Sequence, residues 1–558
     1  MTSSSTETTP LLARKSEDDV DDPTRMPKGR RNIILCAVWL GVFLGALDGT
    51  IVATLISDVS SSFQKSNQAG LLGTSYLLST ATFTPLYGRL ADIIGRRNAL
   101  LMALTLFTSG TALCGFAPSM TMLLIGRLIA GMGGGGLMAV SSITCSDLVP
   151  LKQRALFQGL ANLWFGAGSG LGGPLGGFIS DRFGWRTAFI GQLPILVFAA
   201  FLVFRYLRYR IPGQGKSKRE MVRRIDYLGS LTLVISLGSL LFSLSFKNDR
   251  NLPWSSPLVW VPLVMWAVAG VAFVLVEAYW SPEPVMPLRL LGDRNGLFVA
   301  LANFTVSFVS FSILYFFPQF FEIVKQNTAS QAGAHLLPNS IALSIGSLFA
   351  GFVIRKTGRY YWLIVISSSF PIIALTSFVF LDENSGWVQS WLSILPSGFG
   401  FASVITAGLI ALIASVDRSE MATATGLTYL FRYVGQVVGV ASSASVLQTV
   451  LNDQLQKRIT GEGSAKIIDQ IRHVSTSIPS LPLPLQQAAR TSYHLALRAV
   501  FLLNLVVAVL CFLSTLPIRE MELPGSFEEE EEVRRAAAGG EGDEEGAPER
   551  ERDRDRQA

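Results

Sequence analysis

Apolar stretches alternate with short polar or Gly/Pro-containing breaks along most of the chain. A helix needs about 20 apolar residues to cross the hydrocarbon core of a bilayer, and many of these stretches reach that length. The pattern therefore predicts an all-α polytopic membrane protein with fourteen transmembrane helices. The predicted spans are 32–57, 68–90, 98–116, 121–145, 155–180, 187–207, 226–246, 258–280, 296–322, 332–355, 360–381, 388–415, 420–449 and 494–518.

The composition agrees with a membrane protein. Of the 558 residues, 49% are hydrophobic and only 15% are charged, whereas soluble proteins carry about 25% charged residues. The charged residues are clustered between the apolar spans, and the net charge is +6. This charge therefore gives no reason to expect a nucleic acid partner. The four cysteines and three histidines show neither disulfide nor metal-ligand spacing.

Basic residues set the predicted orientation. The loop "RYLRYRIPGQGKSKREMVRRID" between spans 6 and 7 is rich in Lys and Arg, and the loops after spans 2, 4 and 10 are also basic. Because positive loops stay on the cytosolic side, this face is predicted to be cytosolic. An even number of spans then places both termini in the cytosol. The polar, charged tails 1–31 and 519–558 are predicted to be disordered.

An internal repeat predicts two halves. "GRLADIIGRRNAL" (88–100) and "GFVIRKTGRYYWL" (351–363) align without gaps, and parallel repeats are typical of secondary transporters. We expect an N-terminal six-helix bundle over 32–210 and a C-terminal one over 291–518, with a lumenal loop at 451–492. Residues 211–290 hold the basic loop and two linker spans, which a twelve-span interpretation would omit.

"GRLADIIGRR" resembles the loop 2–3 signature of the major facilitator superfamily. The resemblance implies that Asp92, Arg96 and Arg97 form ion pairs that latch the cytosolic helix ends. Gly88 and Gly95 would allow the tight turn and close helix approach. The alternative is that the arginines are ordinary flanking charges that only set orientation.

Span 5 and span 4 carry further parts of this resemblance. The glycines of "GAGSGLGGPLGGF" recur at a spacing that gives a helix face without side chains, and a proline bends the helix. Close packing alone would explain them, but they also resemble a motif of proton-coupled antiporters, represented here by Gly166, Gly170, Gly173, Pro174 and Gly177. In span 4, "LLIGRLIAGMGGGG" places Arg127 where the family has an arginine linked to proton coupling.

"LDGTIVATL" and the fourteen spans resemble the drug:proton antiporter branch, and "GLTYLFRYVGQVVGV" resembles fungal vacuolar basic amino acid transporters. The resemblance implies proton-driven movement of Lys, Arg or His from cytosol to vacuole, without a cofactor. Glu322 in "FPQFFEIVK" departs from the neutral residue expected there. A plasma-membrane exporter of drugs or secondary metabolites and a transport-dead nutrient sensor are the alternatives. No phosphate-binding "GxxxxGK[ST]" occurs, which argues against ATP as the energy source.

Asp48 lies inside the first apolar span. A charge there costs about 2.5–3.5 kcal/mol, so such residues face the bundle interior and mark function. Asp48 is predicted to hold either a proton or a cation, the exchange that an antiporter needs. The alternative is that Asp48 pairs permanently with a buried arginine, Arg127 or Arg432, or caps a helix break. Arg432 is also a candidate for binding substrate carboxylates, and the other candidate cavity groups are Asn162, Trp164, Asn303 and Gln436.

"ETTPLL" in the N-terminal tail fits the acidic-dileucine pattern, with Glu7 preceding Leu11 and Leu12. In a disordered cytosolic tail this pattern is accessible to an adaptor complex. It therefore favours a vacuolar membrane location over the plasma membrane.

Overall fold

The computed structural model describes residues 27–148, 151–207, 226–249, 252–281, 288–416, 421–460 and 463–521. Within these ranges the chain is helical and contains no strand. The fourteen long helices are α1 Lys28–Ser62, α2 Ala69–Ile94, α3 Arg96–Gly115, α4 Met120–Leu148, α5 Leu151–Phe183, α6 Leu193–Tyr206, α7 Tyr227–Asp249, α8 Pro257–Tyr279, α9 Arg294–Gln319, α10 Leu337–Thr357, α11 Tyr361–Val379, α12 Leu395–Ala414, α13 Met421–Arg458 and α14 Leu483–Thr515.

Several short helices extend or connect these elements. The helices Trp185–Ile190, Ala329–Ala334 and Trp387–Leu392 precede α6, α10 and α12, and a π-helical turn, Phe320–Val324, continues α9. The connection between α13 and α14 contains the helix Ser464–His473 and the turn Ser475–Ser480.

The helices account for the predicted spans. Among the described residues, 12 helical segments are long and apolar enough to cross a membrane. The two others, α2 and α5, have 26 and 33 residues but are rich in Ser and Thr or in Gly, which lowers their hydropathy. The fold is consistent with fourteen spans. Spans 13 and 14 were predicted too short, because α13 and α14 continue through amphipathic sequence that has no apolar run.

Each half closes on itself at the end of the bundle where α1 begins, which we call the proximal end. Arg30 donates to the Tyr206 carbonyl at 3.3 Å, and Arg97 donates to the Phe204 carbonyl at 2.8 Å, joining α1 and α3 to the end of α6. In the other half, Arg294 at the start of α9 donates to a carbonyl just after α14. The opposite end, where α1 finishes, is the distal end.

The two halves, α1–α6 and α9–α14, meet along three helix contacts: α1 with α9, α2 with α13, and α5 with α10 and its preceding helix. The linker helices α7 and α8 pack on each other, and α7 also contacts α2 and α13. Most of the apolar surface of α8 faces outward, as expected for a helix in contact with lipid.

Candidate functional site

Asp48 of α1 forms an ion pair with Arg127 of α4. The Arg127 Nη1 lies 2.6 Å from the Asp48 Oδ2, and the two side chains are 1% and 0% exposed. Of the two arginines that the sequence offers as partners, Arg127 and Arg432, Arg127 is the one that pairs with Asp48. Since a buried charge is stable only when paired, the geometry explains how both residues are held inside the membrane.

The pair is enclosed mainly by α2. The Arg127 Nε donates to the Leu72 carbonyl at 3.3 Å, and the guanidinium lies 4.4 Å from the centre of the Tyr76 ring. The Asp48 Oδ1 and the Arg127 Nη2 have no hydrogen-bond partner among the described residues. The Asp48 Oδ1 is therefore available to accept a proton or a hydrogen bond, and the Arg127 Nη2 is available to donate one to water or to a ligand oxygen.

A cavity of about 230 Å³ lies between the two halves. Helices α1, α2, α4 and α5 line it from one half, and α9, α10, α12 and α13 line it from the other. Its lining is mostly aromatic, aliphatic, Ser or Thr, and the charged side chain among the described lining residues is Arg432. Asp48 and Arg127 are not part of the lining, whereas Tyr76, whose ring covers the Arg127 guanidinium, is.

Arg432 is held in place by two neighbours. The Arg432 Nη2 donates to the Asn303 Oδ1 at 3.5 Å, and the guanidinium lies 4.8 Å from the centre of the Tyr429 ring. Asn303 is itself fixed by a 2.9 Å bond from its Nδ2 to the Val299 carbonyl. Gln436, one helical turn further along α13, also lines the cavity. The geometry leaves the Arg432 guanidinium available to an anionic group such as a carboxylate.

Two other predicted cavity groups lie differently. Trp164 packs edge-on against Phe43 of α1, with ring centres 6.1 Å apart, and its neighbour Phe165 lines the cavity instead. Asn162 is on α5, but its side chain lies outside the described residues.

The glycines of α5 form two faces. Gly166, Gly170, Gly173 and Gly177 face α10 and its preceding helix, whereas Gly168 and Gly172 face α1. A Cβ added to Gly173 would lie 2.6 Å from the Gly333 carbonyl oxygen, so the two backbones touch across the halves. Pro174 lies between these contacts, inside the helix. The Gly173 and Gly177 contacts lie beyond the cavity-lining residues of α5, toward the distal end, where they close the bundle.

Other polar contacts reinforce this distal layer. The Ser61 hydroxyl lies 2.9 Å from that of Ser66 and 3.1 Å from that of Ser475, which joins the α13–α14 connection to the N-terminal half. Glu322, in the π-helical turn, does not add to this closure, because it lies near Asp58 and Asp181 and like charges repel.

At the proximal end, Gly95 separates α2 from α3 with φ +84°, a backbone conformation that favours glycine. Arg96 forms an ion pair with Asp147 of α4 at 2.9 Å, and Arg97 stacks on Phe204 at 4.5 Å. The Asp92 side chain lies outside the described residues, as do Glu7, Leu11 and Leu12. A Cβ added to Gly88 would meet no atom within 4 Å.

The aromatic residues around the pair were not among the predicted site residues. Tyr76 and Tyr315 both line the cavity, and both interact electrostatically with Asp48 and Arg127. Tyr76 follows Gly73 in a Ser- and Thr-rich stretch of α2, which was a local signal. No local signal marked Tyr315, because its importance comes from reaching across to the other half.

The sequence model of the Major Facilitator Superfamily matches residues 38–440. The chain belongs to the major facilitator superfamily. It is therefore a membrane transporter of small substrates and not an enzyme. A bacterial homologue of the human lysosomal transporter Spinster has the same fold, with a TM-score of 0.60 and 16% sequence identity over 88% of this chain and 97% of that one.

Three fungal members of the superfamily are similar over most of the chain. The multidrug resistance protein fnx1 of Schizosaccharomyces pombe is 38% identical, covering 89% of this chain and 94% of its own length. The vacuolar membrane amino acid uptake transporter fnx2 of the same yeast is 36% identical, covering 79% and 75%. Vacuolar basic amino acid transporter 1 of Saccharomyces cerevisiae is 32% identical, covering 76% and 79%.

Proposed function

We propose that this transporter is a proton-coupled antiporter that moves the basic amino acids Lys, Arg and His from the cytosol into the vacuole. The observation that carries the proposal is the buried Asp48–Arg127 pair, 2.6 Å apart in membrane-spanning helices beside a cavity between the halves. An ionisable group inside the membrane is expensive to keep and is retained where it binds or relays ions.

The pair suits proton coupling because its two charges depend on each other. Protonation of Asp48 would remove the negative charge that balances Arg127, so the stable arrangement of α1 and α4 would change with the proton. The unpartnered Asp48 Oδ1 is the atom that would accept the proton. Coupling then follows if substrate and proton stabilise different arrangements of the halves. The driving force is the proton gradient, without a cofactor.

The cavity suits an amino acid. Arg432 is placed to bind the α-carboxylate by charge-assisted hydrogen bonds. The rings of Tyr76, Tyr315 and Tyr429 line the same space and offer faces that attract a cationic side chain. Gln436 supplies a further polar contact. Asn162 of α5 remains a proposed contributor, whereas Trp164 would act only indirectly, through its packing against Phe43.

Location in the vacuole is supported by the two vacuolar relatives and by the Glu7, Leu11 and Leu12 pattern. We propose that both termini and the proximal end face the cytosol. The cavity lies on the proximal side of the packed α5–α10 layer, so this conformation would receive substrate from the cytosol.

Export of drugs or secondary metabolites across the plasma membrane is the second candidate. It is favoured by the aromatic and aliphatic lining of the cavity, in which the described residues supply no carboxylate, and by the similarity to fnx1. Such a lining suits a lipophilic substrate better than a small, strongly hydrated one.

Uptake into isolated vacuoles tests both candidates. Vacuoles from cells with and without the protein are given labelled Lys, Arg or His, with a neutral amino acid as control, before and after an uncoupler collapses the proton gradient. We expect gradient-dependent uptake of the basic amino acids alone. If uptake survives the uncoupler, proton coupling is wrong. If none of these amino acids is taken up, and intact cells with the protein instead extrude a labelled lipophilic compound faster than cells without it, the exporter is the better assignment.

A further inference from the structure

Two tyrosine rings separate the Asp48–Arg127 pair from the cavity. Tyr76 of α2 covers the Arg127 guanidinium at 4.4 Å, and its hydroxyl rests on Gly134 of α4. Tyr315 of α9 is 1% exposed and lies from the other half against Gly73, next to Leu72, whose carbonyl accepts from the Arg127 Nε. Both rings line the cavity, whereas neither charged residue does. The two rings therefore form a barrier between the cavity and the pair.

The position of Tyr315 depends on how the halves are placed. Its ring lies against Gly73 of α2, and a Cβ added to Gly73 would lie 2.6 Å from two ring carbons and 2.9 Å from the hydroxyl oxygen. Gly73 therefore acts as a notch in the N-terminal half that receives a ring from the C-terminal half. Any movement that separates α2 from α9 withdraws the ring from the notch.

We propose that the Tyr76–Tyr315 barrier, seated at the Gly73 notch, makes proton access to Asp48 conditional on the relative position of the two halves. This inference rests on the proposed role of Asp48 as the proton-binding group. Proton transfer needs a continuous chain of hydrogen-bonded groups or water, and the ring faces and edges interrupt it. Tyr76 and Tyr315 are thus positioning residues, which control access without binding the transported proton.

The surroundings of the pair agree with this assignment. The titratable groups that face it are Tyr76 from α2, Cys114 from α3 and Tyr315 from α9, while Tyr433 of α13 acts on Tyr76. Because the pair has two unpartnered polar atoms, a space opened beside it would be polar enough to hold water. Removing a ring should therefore connect Asp48 to the cavity.

The physical consequence is a substrate-free proton leak. In the wild type, the empty transporter can exchange the Asp48 proton only after the rings separate. Without the barrier, Asp48 exchanges its proton with the cavity in this conformation as well. The empty transporter then loads and unloads protons on both sides of the membrane, and its cycling carries protons without substrate.

The test uses the full-length protein in liposomes with an imposed pH gradient, no substrate, and an internal pH-sensitive dye. Tyr315→Ala and Gly73→Ala should raise the proton flux several-fold over wild type. Tyr315→Phe keeps the ring and should remain tight. Gly41→Ala is the matched glycine control, because its Cβ makes only an ordinary 3.5 Å contact with Leu137.

Adding Asp48→Asn to Tyr315→Ala should abolish the leak, since the proton would have no acceptor. A leak that persists in this double variant overturns the proposal, because protons would then bypass the pair. Unchanged flux in both Tyr315→Ala and Gly73→Ala also overturns it. The assay contains no amino acid, so the proton flux tests the barrier even if the proposed substrate is wrong. If Tyr315→Ala does not fold, Gly73→Ala carries the test.

Discussion

Asp48→Asn separates the charge of Asp48 from its shape. Asparagine keeps the size and an oxygen that can accept from Arg127, but it cannot ionise. Arg127 is then left fully buried, with no negative charge to balance it. Removing one partner of a buried pair costs about 3–5 kcal/mol, and the retained hydrogen bond places this variant near the lower end of that range. Proton-driven accumulation should be lost.

A neutral pair provides the control for misfolding. Asp48→Asn with Arg127→Gln removes both charges, so most of the lost stability should return while transport stays absent. Residues in one buried pair couple by up to about 3 kcal/mol, and the cycle of single and double variants measures that coupling. Asp147→Asn is the comparison for an ion pair that is less deeply buried, with side chains 10% and 24% exposed, and it should cost less stability than Asp48→Asn.

Thermal unfolding in detergent and uptake into proteoliposomes under a pH gradient measure the two effects separately. We expect Asp48→Asn to melt below wild type and below Asp147→Asn, with the double variant recovering. Neither Asp48 variant should accumulate substrate above equilibrium. If Asp48→Asn melts like wild type and accumulates substrate normally, the pair is neither a stability element nor the coupling site.

Three further predictions concern the two ends of the bundle and the N-terminal tail. Gly173→Ala should weaken distal closure, because the new Cβ would meet the Gly333 carbonyl oxygen at 2.6 Å; crosslinking across α5 and α10 should fall relative to wild type. Gly95→Leu should slow transport, since a side chain at φ +84° costs about 1–3 kcal/mol, and unchanged initial rates would contradict this. Replacing Leu11 and Leu12 by alanine should move the fluorescently tagged protein from the vacuole to the plasma membrane. Finding the wild-type protein at the plasma membrane would contradict the vacuolar location.

The helices could be predicted from the sequence because long apolar runs form membrane helices. The residues at which α13 and α14 begin and end could not be predicted in this way. Within the predicted loop 451–492, the segment "LNDQLQKRI" continues α13 as far as Arg458. The segment "AKIIDQIRHV" lies in the helix Ser464–His473, whose Ile468 and Ile471 are buried against the protein. Hydropathy cannot distinguish an amphipathic helix that lies on lipid from one that packs on its own chain.

The site was predictable residue by residue but not as an arrangement. Asp48 and Arg127 were recognisable because charges inside apolar spans are rare. Their partnership was one of two possibilities, since 79 residues separate them and only helix packing decides which arginine is near. The contact of Tyr315 with Gly73 joins the two halves, so no motif within one helix could have revealed it.

The two aligned repeats show how one backbone turn is stabilised in different ways. Gly95 and Gly358 occupy matching positions, and both have positive φ, +84° and +66°. In the first half the turn leads into Arg96, which pairs with Asp147 of α4. In the second half, the Tyr360 N–H donates to Glu520 at 2.9 Å, and the Tyr360 hydroxyl accepts from the N–H of Met521 at 2.7 Å. The N-terminal half is therefore closed proximally by charges within its own helices, and the C-terminal half by the segment that follows α14. Because the halves must move against each other in transport, this difference makes the residues after α14 part of the moving C-terminal unit.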